Sequence, residues 1–123
     1  MAEKLTITDL FSDNGPFSES EVVEALRPHI TIQKANNSIY FKDTKLTAEQ
    51  KILVYGLAKK LLKAKNLIKD EMITAQEFHE ATRIKKGTID PLFKKLRDRG
   101  LLIGKVKYEI PNLKIREVIN NLK

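Results

Sequence analysis

The chain has 123 residues, 41% of them hydrophobic, which suits one folded domain with a modest core and excludes a disordered chain. It has no cysteine, which excludes disulfides, thiolate metal sites and cysteine nucleophiles, and no run near the ~20 apolar residues that cross a bilayer. The net charge of +7 is unevenly spread: residues 1–44 hold 4 Lys/Arg against 7 Asp/Glu, whereas residues 45–123 hold 19 against 9. The basic half is therefore the one expected to attract a polyanion, although a lysine-rich surface that only solubilises would look the same.

Residues 1–17 are polar, with Asp13-Asn14-Gly15-Pro16 as a turn signal. Leu5, Ile7, Leu10 and Phe11 are expected to pin this arm to the body. No apolar stretch follows a basic start, so no secretory signal is read and the expected location is cytoplasmic. Ser18-x-x-Glu21 has the form of a capping box and predicts a helix from Glu19 to about Arg27, with Val22, Val23 and Leu26 inward and Pro28 ending it. Ile30–Gln33 and Ser38–Phe41 are β-prone runs. Asn36-Asn37 between them tolerates positive φ, so a β-hairpin is predicted, joined to the basic half by Asp43-Thr44-Lys45.

Thr47-x-x-Gln50 is a second capping box and opens a helix to about Lys65. Ile52, Leu53, Leu57, Leu61 and Leu62 fall on one side of it at helical spacing. Gly56 in its middle suggests close approach of another helix, and Lys59, Lys60, Lys63 and Lys65 read as a solvated face. Asn66–Met72 reads as a loop or a frayed continuation of that helix. Thr74-x-x-Glu77 is a third capping box, for a helix to about Thr82 with Phe78 and Ala81 inward. A basic turn, Arg83–Gly87, leads to a further helix that Gly100 stops, with Arg97 and Arg99 near its negative end.

After Gly100 the period becomes strand-like. Leu101–Ile103 and Val106–Ile110 flank Gly104-Lys105, a tight hairpin with a basic tip. Leu113, Ile115, Val118, Ile119 and Leu122 mark a final amphipathic helix. A helix followed by a hairpin occurs at 19–41 and again at 88–110, a loose echo without a fixed period.

The helix before Gly100 is the informative one. Ile89, Leu92, Phe93 and Leu96 stand at i, i+3, i+4 and i+7 and form its core face. Proline inside a helix costs ~3 kcal/mol, so Pro91 is cheap only in the first turn. The helix is therefore expected to start near Gly87 or Thr88, with Thr88 as a candidate N-cap and Asp90 as a first-turn acid that suits the helix dipole. This gathers Lys85 and Lys86 at a helix N-terminus, a good setting for a phosphate or a base edge.

Gly87-Thr88-Ile89-x-Pro91-Leu92-x-x-Lys95-Leu96-x-x-x-Gly100-Leu101 resembles the recognition-helix signature of PadR-like regulators. It is also similar to the winged-helix regulators of the MarR and GntR kind. The close match covers about 15 residues and the general order covers 47–110. Asp90 and Arg97 stand where the PadR pattern favours tyrosine and glutamate, so the resemblance speaks for the winged helix more than for one subfamily. It implies a mainly α chain with small β-hairpins (α+β). Residues 45–123 would be the winged-helix domain with a C-terminal helix. Residues 1–44 would be a helix–hairpin extension packed on or swapped with it.

The function expected on this reading is sequence-specific binding of double-stranded DNA by a small transcriptional regulator. Lys86, Thr88, Asp90 and Lys94 would face base edges in the major groove. Arg83, Lys85 and Lys95 would touch phosphates, and Lys105 and Lys107 the backbone or minor groove. A homodimer is expected, because one recognition helix reads only a short half-site. Its contact would come from the N-terminal segment or from Leu113–Leu122. Two alternatives share the fold: a protein–protein interaction module in a larger assembly, and a replication or mobile-element DNA-binding protein. No enzyme, cofactor or metal is expected. His29 and His79 lack metal-like spacing, and neither a nucleophile–base–acid set nor a phosphate-binding glycine loop is present.

Overall fold

The computed structural model describes residues 19–42 and 45–122, and these form five α-helices and two small antiparallel sheets. The expected Ser18 cap, the pinning residues of the N-terminal arm and the Asp43-Thr44 link lie outside the described residues. Helix α1 (Glu19–Leu26) buries Val22 and Leu26. Val23, expected inward, is 38% exposed, because the short helix turns only one stripe toward the core. Strands β1 (Ile30–Ile32) and β2 (Ile39–Phe41) pair with Ile30 opposite Phe41 and Ile32 opposite Ile39. This register turns those four side chains inward and leaves Thr31 and Tyr40 outside. Asn37 takes the left-handed conformation (φ 57°) that the hairpin turn needs.

Helix α2 (Ala48–Ala64) is the centre of the molecule, with every residue from Ile52 to Ala58 buried. Its capping box closes as the sequence predicts. The Gln50 N–H donates to Thr47 Oγ1 at 3.1 Å, and the Thr47 N–H donates to Gln50 Oε1 at 3.0 Å. The lysines of α2 are not one solvated face. Lys60 is only 5% exposed and is ion-paired with Glu71, while Lys59 meets Glu77 at 2.5 Å. Lys63 and Lys65 are exposed, and Lys65 reaches Glu19 at 3.0 Å. The segment after α2 supplies Glu71, and the helix beyond it supplies Glu77; no local pattern reveals either approach.

That segment ends in a strand the sequence reading misses, β3 (Ile73–Thr74). It pairs with β5 (Lys107–Glu109), which also pairs with β4 (Ile103–Gly104), so the sheet order is β3-β5-β4. A two-residue strand has no periodicity to read; its partner lies more than thirty residues away in sequence. Gly56 serves this sheet and not a neighbouring helix. A Cβ there would stand 2.7 Å from Ile110 Cδ1 and 3.5 Å from Ile73 Cδ1, both on fully buried side chains.

Helix α3 (Ala75–Thr82) is capped by Thr74, whose Oγ1 accepts from the Glu77 N–H at 3.0 Å. The reciprocal half of the box is missing because the Glu77 carboxylate is engaged elsewhere, with Tyr55 and Lys59. Phe78 is buried as expected, but Ala81 is exposed. Helix α4 (Lys86–Asp98) buries Ile89, Phe93 and Leu96 and half-buries Leu92. At its end the Leu101 N–H donates to Leu96 O and the Gly100 N–H to Arg97 O, both at 2.9 Å, with Gly100 at φ 80°. This is a Schellman ending, sealed by the buried Leu96 and Leu101.

A run of aromatic rings joins the layers. Tyr55 meets Phe78 edge-on at 5.5 Å, Phe78 lies 6.2 Å from Phe93, and Phe93 lies 4.6 Å from Tyr108 on β5. Tyr108 is buried, 5% exposed. The chain closes with a 3-10 turn (Asn112–Lys114) and helix α5 (Ile115–Asn121). Ile115, Val118 and Ile119 pack into the shared core, but Leu113 is 73% exposed because it sits in the 3-10 turn, off the helical stripe. No described helix is long and apolar enough to cross a membrane.

Candidate nucleic-acid interface

The turn that delivers α4 is fixed by short-range hydrogen bonds. Arg83 ends α3 in the left-handed region (φ 66°), and its N–H donates to His79 O at 2.7 Å. Thr82 Oγ1 donates to Phe78 O at 2.8 Å and accepts from the Ile84 N–H at 3.3 Å. His79 Nδ1 lies 2.7 Å from Ile84 O. A carbonyl oxygen only accepts, so Nδ1 carries the proton in that bond. His79 thus holds the turn that follows its helix in place.

Helix α4 begins at Lys86, with Lys85 as its cap residue and no side-chain cap. Three expectations change with that start. Thr88 lies inside the first turn and is not the N-cap. Pro91 stands in the second turn, where it deprives Gly87 O of its usual i+4 donor. Gly87 lies at an exposed position, where a carbonyl without its helical donor costs less than in the core. Asp90 also leaves the first turn, where the dipole would have favoured it.

The structure places all nine sequence-predicted site residues, Arg83, Lys85, Lys86, Thr88, Asp90, Lys94, Lys95, Lys105 and Lys107, at exposed positions. They are not equally available. Lys95 turns back toward α2, where its Nζ stands 3.2 Å from Glu49 Oε1; Arg99 reaches the other oxygen of Glu49 at 3.5 Å. Lys107 Nζ is 4.0 Å from Asp70. Arg83, Lys85, Lys86, Lys94 and Lys105 have no ion pair among the described residues. Lys105 and Val106 form the tip between β4 and β5, and Val106 is 78% exposed. Gly104 must be glycine there, since its φ is 128° and a Cβ would stand 1.9 Å from Lys107 O.

Sequence reasoning misses the character of the outermost stripe of α4. The buried positions place Gly87, Pro91, Lys94 and Asp98 farthest from the core, at i, i+4, i+7 and i+11. Two of these four have little or no side chain to keep a surface away. A Cβ on Gly87 would meet nothing within 4 Å, so the protein's own packing does not demand glycine. In the sequence Gly87 is only one letter of a pattern; the burial of its neighbours is what identifies the face it occupies.

Beneath this surface, Tyr55 and Glu77 set the position of α3. Tyr55 Oη donates to Glu77 Oε2 at 3.0 Å, and Lys59 Nζ donates to the same oxygen at 2.5 Å. Burial, then the Glu77 carboxylate, raise the Tyr55 phenol well above the usual tyrosine range. The unfolded chain ionises this phenol near pH 10, while the folded chain keeps it protonated there. Its contribution is complete below about pH 10 and is lost as pH rises beyond it. Urea denaturation from pH 8 to about 11 should show the stability gap between wild type and Tyr55→Phe narrowing above about pH 10. A gap that stays constant would contradict this placement of the phenol.

Among the described residues no three His, Asp or Glu side chains gather as a metal site. No known family model matches the chain, no curated protein is similar to it, and no solved structure matches it.

Proposed function

We propose that the chain is a winged-helix protein that binds double-stranded DNA as a small transcriptional regulator. The order α2, β3, α3, α4, β4, β5 with sheet order β3-β5-β4 supports the winged-helix reading. It agrees with the resemblance of residues 87–101 to PadR-like recognition helices. The observation that carries the function is the set Arg83, Lys85 and Lys86 at the start of α4, exposed and without an ion pair among the described residues, followed by Lys94 on its outer stripe. Cations beside a helix N-terminus meet phosphate with charge and backbone N–H groups together. In this reading α4 enters the major groove. The β4–β5 tip, with Lys105 and Val106, lies along the backbone or minor groove. Lys95 positions α4 on α2 more than it contacts DNA. The protein has no catalytic role and acts as a homodimer, since one α4 reads only a half-site.

Labelled duplex DNA titrated by fluorescence anisotropy at several salt concentrations tests the proposal. Lys86→Glu with Lys94→Glu is expected to lower affinity at least ~30-fold, about 2 kcal/mol, and to flatten the salt dependence by about one unit of slope per lost phosphate contact. Absence of wild-type binding at low salt would overturn the reading. Gly87→Ala sharpens the test. It is expected to raise stability by about 0.5 kcal/mol, because the added methyl meets nothing, yet to weaken DNA binding several-fold by holding the groove away. Light scattering reads the dimer directly.

The second reading, protein docking, rests on Asp90 and Asp98, which put acidic groups on the same outer surface as Lys86 and Lys94. Wild-type DNA affinity in the Lys86→Glu, Lys94→Glu variant would favour it.

A further inference from the structure

A cavity of about 430 Å³ lies away from the α4 entrance, between the β1–β2 hairpin and helices α2 and α3. Its size falls in the range of small-molecule sites. Ile39, Leu62 and Ile68 give it an apolar lining. Tyr40, 54% exposed, and Glu80 stand on its wall with the Tyr55, Lys59 and Glu77 network. Exposed tyrosine on a strand, beside a cavity its own hairpin helps to form, is unexplained by the core.

The charges on this wall decide what fits. Lys59 is neutralised by Glu77, and both the Tyr55 hydroxyl and the Lys59 ammonium go to the same oxygen, Oε2. Glu77 Oε1 accepts no hydrogen bond among the described residues. Among the described residues, Glu80 meets only the neutral amide of Gln76, at 2.8 Å through Oε2. The wall therefore has two carboxylates against one ammonium and a net negative charge, with spare acceptor oxygens and an aromatic face. An anion would face Glu80, which has no ion pair among the described residues.

We propose that this cavity binds a small organic cation: a primary ammonium on a short apolar or aromatic body. The ammonium pairs with Glu80 and the free oxygen of Glu77, the body lies against Ile39, Leu62 and Ile68, and the Tyr40 ring covers it. The site stands apart from the DNA reading and is tested without DNA, so the failure of one leaves the other standing.

Phenethylamine and 3-phenylpropionate are suitable probes, since they share an aryl-alkyl body and differ in the sign of their charge. Titrated into the full chain near neutral pH and followed by amide NMR, phenethylamine should shift resonances around residues 39–40, 59 and 77–81 with a Kd on the order of 1 mM. 3-Phenylpropionate should leave them in place. Glu80→Gln and Tyr40→Ala, both at exposed positions, should each weaken phenethylamine at least ~5-fold without changing the fold seen by circular dichroism. Equal binding of the acid, indifference to both substitutions, or no shift by phenethylamine would each overturn the proposal.

Discussion

Phe93→Ala is expected to lower the unfolding free energy by about 3–5 kcal/mol, a large share of the ~5–15 kcal/mol that holds a domain of this size together. Phe93 is fully buried and sits between Phe78 of α3 and Tyr108 of β5, at ring distances of 6.2 and 4.6 Å. It is the one aromatic side chain of α4, so truncating it unties that helix from the sheet and also gives up the apolar area the ring buries. A cavity between three elements collapses poorly, because none of them can move toward it without leaving another neighbour. In thermal denaturation the change corresponds to a fall in Tm of roughly 15 °C. Phe93→Leu, which keeps part of the volume, should cost clearly less. A loss below about 1 kcal/mol for the alanine variant would mean that the ring stack does not tie α4 to the sheet.

Glu71→Ala should cost about 3 kcal/mol, more than its position in a polar loop suggests. Its partner Lys60 has a side chain only 6% exposed, so removing the carboxylate leaves an ammonium in the interior without a counter-charge. Desolvation of that ammonium is the main penalty; the ion pair itself adds little net stability. The double variant Lys60→Met, Glu71→Ala separates the two effects. It removes both charges, keeps an apolar stem against the core, and is expected to recover most of the loss. Urea denaturation of the three variants gives the cycle. A cost under about 1 kcal/mol for Glu71→Ala would place the pair with solvated surface bridges instead.

Lys60 and Glu71 also bear on function, through geometry. They fasten the segment after α2 just before β3 begins. β3 in turn pairs with β5, and Thr74 at its end caps α3. The position of α4 is therefore set by a chain of supports that starts at one buried lysine. In the DNA-binding reading, Glu71→Ala weakens binding although every side chain facing the DNA is intact. On the same reading, Lys86→Glu with Lys94→Glu is expected to weaken binding with stability nearly unchanged, since both side chains are exposed.

The sequence alone determined where most helices begin and end. Thr47 and Gln50, Thr74 and its helix, Gly100 at the end of α4 and Asn37 in the first hairpin act through neighbours a few residues away, so their signals are local and legible. The stripe of Ile89, Phe93 and Leu96 is equally readable, because burial on one helix face repeats with the helical period. Most exposed cations of the candidate site are legible in the same way, as the residues that stripe leaves over.

Only the tertiary structure decided the rest. Whether a lysine is solvated or buried depends on which acid arrives from elsewhere, as Glu71 does for Lys60 and Glu49 for Lys95. Strand β3 exists because β5 is there to pair with it, and Gly56 is needed because Ile110 presses against α2. Pro91 is tolerated one turn deeper than local rules allow, on a part of the helix where both it and Gly87 are exposed. Each of these outcomes depends on a partner distant in sequence or on exposure to solvent, and residue spacing along the chain encodes neither.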